Sequence, residues 1–275
     1  MYLDHWDLKI KPFRNVPDAR FFYHSPTHDS AIAELLYAAD ETQGAALLAG
    51  PFGTGKTLLL KALMGGLHGE RFCCGTVRNA LMSPAEVVLS CARALGAEDL
   101  PESPADVSAS LAQYRLEGRL EAIAAKEQKA LLVIDDAHVI EDPKVWEALR
   151  LVLGFGRQDV PVLTMILAGH GDLYERVDAC PGFPDRVVVR TALTPLTEDQ
   201  TLEYLLHRLS RAGASSGIFT RDAAMEIYRS AAGIPSRINH LADLAMAAAF
   251  GMKVKAIGAG IIRMVAEEVE NRRAG

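Results

Sequence analysis

Eight consecutive residues, Gly50-Pro51-Phe52-Gly53-Thr54-Gly55-Lys56-Thr57, satisfy the pattern G-x-x-x-x-G-K-[ST]. Glycines at those spacings let backbone N–H groups curl around phosphate oxygens, and a helix starting just after them adds a favourable dipole. In such a loop Lys56 reaches the β and γ phosphates of a nucleotide, and the Thr57 hydroxyl ligates Mg²⁺. A chance glycine-rich turn is the alternative. The flanks argue against it, because the apolar run Ala45–Ala49 precedes the loop and a helical pattern over 58–67 follows it. A second chemical signal is Leu131-Leu132-Val133-Ile134-Asp135-Asp136, an apolar strand that ends in two carboxylates. Beside a phosphate loop, Asp135 is the candidate carboxylate of the magnesium site. Without that loop the pair would read as N-caps of the next helix.

These residues need a rigid frame. Apolar runs at Ala45–Ala49, Phe72–Val77, 130–134 and 162–168 read as buried strands separated by longer amphipathic segments. That alternation predicts an α/β fold with a parallel sheet sandwiched by helices. The stretch Ala97-Glu98-Asp99-Leu100-Pro101-Glu102-Ser103-Pro104 reads as a surface connection inside it. After Pro195 the pattern changes: helical stretches over 199–212 and 236–250 are punctuated by Gly213, Gly233-Ile234-Pro235 and Gly258. The expected organisation is an N-terminal segment, residues 1–44, contributing to the nucleotide site, an α/β core over 45–196 and a small all-helical domain over 197–275.

Composition sets the outer bounds. The 275 residues are 49% hydrophobic and 23% charged, an ordinary globular balance. The four cysteines, Cys73, Cys74, Cys91 and Cys180, form no CxxC pair, which fits a reduced, cytoplasmic setting, with packing roles for Cys73 and Cys74. His24 and His28 flank a proline and do not read as metal ligands. No stretch reaches the roughly 18 apolar residues of a spanning helix, so no membrane span is expected. A formal net charge of −6 gives no general attraction to nucleic acid. The run 263–273 reads as a charged amphipathic helix with a solvated face.

The order of phosphate loop, Asp135-Asp136, an apolar strand ending Ala168-Gly169-His170, and Gly233-Ile234-Pro235-Ser236-Arg237 resembles the AAA+ ATPases. More narrowly, Met1-Tyr2-Leu3-Asp4-His5-Trp6-Asp7-Leu8, Lys11-Pro12-Phe13, Pro17-Asp18-Ala19-Arg20-Phe21 and Ser25-Pro26-Thr27-His28 resemble the opening of the general secretion pathway A (ExeA-like) ATPases. The resemblance implies ATP and Mg²⁺ as ligands and places Asp136 where related ATPases orient and deprotonate the attacking water. It puts Pro12 and Phe13 near the adenine, with a core Phe as the competing role for Phe13. It makes His170 the sensor 1 residue, against a hydrogen-bonded structural histidine. Arg237 becomes the sensor 2 arginine of a helical lid, against a surface salt bridge. Arg186 in Phe183-Pro184-Asp185-Arg186-Val187 resembles the arginine finger inserted into a neighbouring subunit, with Arg190 as second candidate. A finger implies a homo-oligomer such as a ring.

Two departures from the family pattern bear on function. Asp136 stands where Glu is usual, and its shorter carboxylate predicts slow hydrolysis. The larger secretion relatives continue into a membrane helix and a peptidoglycan-binding domain, and this sequence stops at Arg272-Arg273-Ala274-Gly275, so a direct cell-wall role is not expected. The expected activity is ATP-driven assembly or remodelling of a protein partner in secretion, pilus or envelope assembly, in the cytoplasm or recruited by that partner to the inner membrane. Two alternatives stay open: a DNA-transaction ATPase of the TniB type, and a scaffold that binds ATP and turns it over slowly.

Overall fold

The computed structural model describes residues 2–41, 44–67, 69–78, 82–101, 108–157, 160–214 and 217–274. Glu102, Ser103 and Pro104 of the expected surface connection, and the terminal Met1 and Gly275, lie outside the described residues. The chain divides into two compact units: Pro26–Pro51 with Leu59–Leu193, and Met1–Ser25 with Phe52–Leu58 and Thr194–Gly275.

The first unit is built on a sheet. In chain order its elements are α1 (Pro26–Glu41), β1 (Ala45–Ala49), α2 (Lys56–Leu67, which begins in the other unit), β2 (Phe72–Val77), α3 (Pro84–Ala94), α4 (Ala109–Ala124), β3 (Lys129–Ile134) and α5 (Pro143–Val152). There follow the two-residue β4 (Gly156–Arg157) and β5 (Val160–Pro161), then β6 (Leu163–Ala168), α6 (Leu173–Asp178) and β7 (Val187–Ala192). Among the described residues five strands form one sheet in the order β2-β3-β6-β1-β7, every neighbouring pair parallel, while β4 and β5 pair with each other. Parallel strands covered on both faces need no polar alternation, and β1 and β6 are buried at every residue. One set of side chains, including Leu47, Leu132, Ile134, Met165 and Leu167, joins a core with Val87 and Leu89 of α3, Leu116 and Leu120 of α4, Trp146 and Leu149 of α5 and Leu173 of α6. On the other face the Thr164 hydroxyl donates to the Ala38 carbonyl of α1 at 3.3 Å. Each fully buried Leu or Ile stabilises by roughly 1.5–3 kcal/mol, so the sheet is a well-anchored platform for a site.

Four of these strands are those expected from the sequence; the fifth, β7, was not foreseen. Only Val189 and Thr191 of Val187–Ala192 are buried, in alternation, because β7 is an edge strand beside β1. It lacks the continuous apolar run by which its neighbours are recognised.

The second unit is helical: α7 (Glu198–Arg211), α8 (Arg221–Ala231), α9 (Pro235–Gly251) and α10 (Ala259–Ala274) pack with the N-terminal segment around Trp6, Phe13, Phe21, Tyr204, Ile227, Ile238 and Met246. A capping box starts α7: the Thr197 hydroxyl accepts from the Gln200 N–H, and the Gln200 side chain accepts from the Thr197 N–H. Between α8 and α9, Gly233 takes φ +69°, and a Cβ there would lie 2.0 Å from the Leu196 carbonyl oxygen, so the Gly-Ile-Pro turn accepts only glycine at its first position. No helix among the described residues is long and apolar enough to cross a membrane.

Candidate active site

In the sheet unit, β6 lies between β1 and β3, so Gly50 leaving β1, Asp135 and Asp136 leaving β3, and Gly169 and His170 leaving β6 come off one carboxyl edge. That edge is where open α/β sheets bind ligands. The two adjacent carboxylates differ sharply. Asp135 is 7% exposed, and its N–H donates to the Val77 carbonyl of β2 at 3.0 Å. Asp136 takes a left-handed conformation, φ 56° and ψ 33°, and its N–H donates to Asp135 Oδ1 at 3.1 Å. A left-handed non-glycine residue costs about 1 kcal/mol or more, and Asp tolerates it better than most. The consequence is divergence: the Asp136 side chain is 58% exposed, open to solvent water, beside the buried Asp135.

Behind Asp136 runs a polar cluster. His138, in the 3₁₀ turn Ala137–Val139, places Nδ1 4.0 Å from the Asp136 carboxylate, and its ring centroid lies 6.3 Å from that of His170. His170 Nδ1 is 3.7 Å from Asp172, and Arg176 reaches the same carboxylate at 3.2 Å while donating to the Ile140 carbonyl at 3.2 Å. Burial pushes the Asp172 carboxyl up, but the hydrogen bond and charge of Arg176 outweigh it and hold the group below the usual carboxylate range. The sequence pointed to His170; it carried no signal for His138, Asp172 or Arg176.

In the helical unit, residues 52–58 carry most of the phosphate loop. Gly53 at φ +81° and Gly55 at φ +105° hold conformations that side-chain-bearing residues rarely adopt. Thr54 is fully buried and Lys56, the first residue of α2, is 8% exposed, with Nζ 5.9 Å from the Phe52 ring centroid. Ser236, at the start of α9, donates its N–H to the Gly53 carbonyl at 3.1 Å. The adjacent Arg237 is exposed and, among the described residues, makes no ion pair. Pro12 and Phe13 are both buried. Phe13 is 2% exposed and packs edge-on against Phe219 with centroids 5.8 Å apart, so its ring belongs to the helical core; Arg14 and Asn15, which follow it, are exposed.

The two finger candidates separate clearly. Arg190 in β7 makes a bidentate pair with Asp178, one arm at 3.0 Å, and stacks 5.7 Å from the Tyr174 ring. Arg186, in the 3₁₀ turn Pro184–Arg186 just before β7, is exposed and has no ion pair among the described residues.

Comparison with known proteins fits this geometry. A family model described as an AAA domain matches residues 39–177. The general secretion pathway protein A of Aeromonas hydrophila is 29% identical over 278 residues, covering 99% of this chain and 49% of that protein. The chain therefore spans about half the length of the curated relative it matches. Among solved structures, Drosophila ORC bound to DNA superimposes with TM-score 0.70 at 17% identity, covering 94% of this chain and 64% of that one. The Aeropyrum pernix ORC1 protein in complex with DNA does so with TM-score 0.70 at 18% identity, covering 92% and 68%. These structures share the fold of this chain.

Proposed function

The chain belongs to the AAA domain family of ATP-hydrolysing P-loop proteins, and on that premise we propose that it hydrolyses Mg·ATP to assemble or remodel a protein partner of a secretion or envelope-assembly system. One observation supports the nucleotide chemistry above all: a loop threaded through Gly53 and Gly55 follows β1, and a buried carboxylate, Asp135, ends β3 of the same sheet. The residues suit the ligand. Hydroxyl and carboxylate oxygens are the donors that Mg²⁺ prefers, and a glycine-lined loop ending in a helix start suits phosphate.

In this reading the N–H groups of Gly53 to Thr57 and the Lys56 ammonium hold the phosphates, and Thr57 and Asp135 hold the metal. Bound Mg²⁺ neutralises charge on the β and γ phosphate oxygens. The exposed Asp136 carboxylate orients a water and accepts its proton, with His170 at the neighbouring strand end as a second polar contact. Arg237 of α9 senses the γ-phosphate. Arg186 acts on the nucleotide of a neighbouring copy, a role suited to a permanently charged, planar group that is exposed and makes no ion pair among the described residues. Because Phe13 is in the core, the adenine meets Pro12 and the backbone around it, not the Phe13 ring face.

Lys56→Ala tests the reading. It removes the loop's own side-chain cation from the β and γ phosphates, so a labelled ATP analogue should lose tight binding while the melting temperature holds. Equal affinity at equal magnesium would refute the assigned loop. The DNA-transaction alternative is tested separately, by salt-dependent binding of duplex DNA.

A further inference from the structure

Asn15 is exposed and belongs to no apolar cluster, yet it is held at both ends by groups more than two hundred residues away. Its Nδ2 donates to the Ser236 carbonyl at 3.0 Å, and its Oδ1 accepts from Asn239 Nδ2 at 2.9 Å. Ser236 in turn donates its N–H to the Gly53 carbonyl. Its Oγ stands 1.9 Å from where a Gly53 Cβ would be, so loop and helix start are in direct contact. The line continues inward: Tyr204 donates to Asn239 Oδ1 at 2.9 Å, and Arg208 donates to Tyr204 at 2.8 Å.

Arg208 anchors the far end of this line. It is 3% exposed and, among the described residues, has no carboxylate partner. Its guanidinium donates to the Pro12 carbonyl at 2.5 Å and the Arg14 carbonyl at 3.1 Å, and it stacks 4.6 Å from the Phe21 ring centroid. A planar fork that grips two carbonyls on either side of Phe13 locks the backbone that carries Asn15. A buried cation without a counter-ion is costly, so its retention needs these acceptors to be fixed.

We infer that Asn15 is a positioning residue for the phosphate loop: anchored by the Arg208 clamp, it fixes Ser236, and Ser236 fixes Gly53. The inference rests on the ATP reading above for its effect on nucleotide but not for its effect on the loop. It differs from adenine contact by Pro12, because it routes the N-terminal segment to the phosphates.

The test uses the full chain. Asn15→Asp keeps the acceptor for Asn239 and loses the donor to Ser236; Asn15→Ala loses both. Amide exchange without nucleotide should speed up several-fold at the Ser236 N–H and across residues 52–58, with exchange in β1, β3 and β6 unchanged; the melting temperature should hold in Asn15→Asp, which still accepts from Asn239, and fall slightly in Asn15→Ala, which leaves that buried donor unpaired. A labelled ATP analogue should bind about 3- to 10-fold more weakly, the worth of one hydrogen bond, with kcat at saturating ATP little altered. Unchanged exchange at Ser236 and 52–58 in either folded variant overturns the inference, as does a uniform rise across the whole chain with a lower melting temperature. If the wild type binds the analogue no better than Lys56→Ala, the ATP reading fails while the exchange data still decide the role of Asn15.

Discussion

Replacing Gly53 by Ala is the most quantitative probe of the loop. The substitution adds one methyl group and two separable costs. At φ +81° a side-chain-bearing residue carries roughly 1–2 kcal/mol of backbone strain. The new Cβ would also lie 1.9 Å from Ser236 Oγ, 2.8 Å from Ser236 Cβ and 3.2 Å from Ile234 Cγ2, contacts that no rotation of the methyl relieves. Overpacking of this kind costs about 1–3 kcal/mol. The free protein escapes part of the total by letting the loop relax away from Ser236; phosphate binding must impose the original path again. About 2 kcal/mol or more should therefore appear as lost affinity, roughly 30-fold at 1.4 kcal/mol per decade. The assay is titration of a labelled ATP analogue with magnesium, beside a thermal melt. Ser236→Gly in the same chain removes both of the nearest atoms and leaves the backbone strain, so the double variant should recover part of the loss, not all of it. Gly53→Ala binding as tightly as the wild type, or a double variant no better than the single, would refute the reasoning that this contact sets the loop.

Two further outcomes concern turnover. Asp136→Glu should raise kcat with little change in nucleotide affinity, because the longer arm brings the carboxylate toward the water. Asp136→Asn should lower kcat and leave ATP bound; steady-state turnover beside a binding titration checks both, and unchanged turnover in Asp136→Asn would remove this residue from the mechanism. ATPase activity per subunit should rise with protein concentration, and mixing inactive Arg186→Ala with inactive Lys56→Ala chains should restore part of the activity; concentration-independent turnover without rescue counts against a shared site.

Much of this protein is local, and what is local was legible in the amino-acid sequence. The phosphate loop is contiguous, so its glycines, Lys56 and Thr57 announce themselves in eight residues. Buried parallel strands leave uninterrupted apolar runs, so β1, β2, β3 and β6 were readable, with Asp135 and Asp136 at the end of one. Helices α7 and α9 followed from periodicity and from the Gly-Ile-Pro turn before α9. An edge strand leaves only alternation, too short in β7 to outweigh its neighbours. Other features depend on contacts that have no sequence pattern at all. The left-handed backbone that parts Asp136 from Asp135 is one, and the approach of His138 to His170 is another. The clearest case is the helical unit. Phe13 lies in its core because Phe219 comes to meet it, and Asn15 matters because Ser236 and Asn239 stand beside it. Hydrogen bonds between residues 221 and 224 positions apart impose no periodicity on either segment, so only the folded chain could bring those partners together.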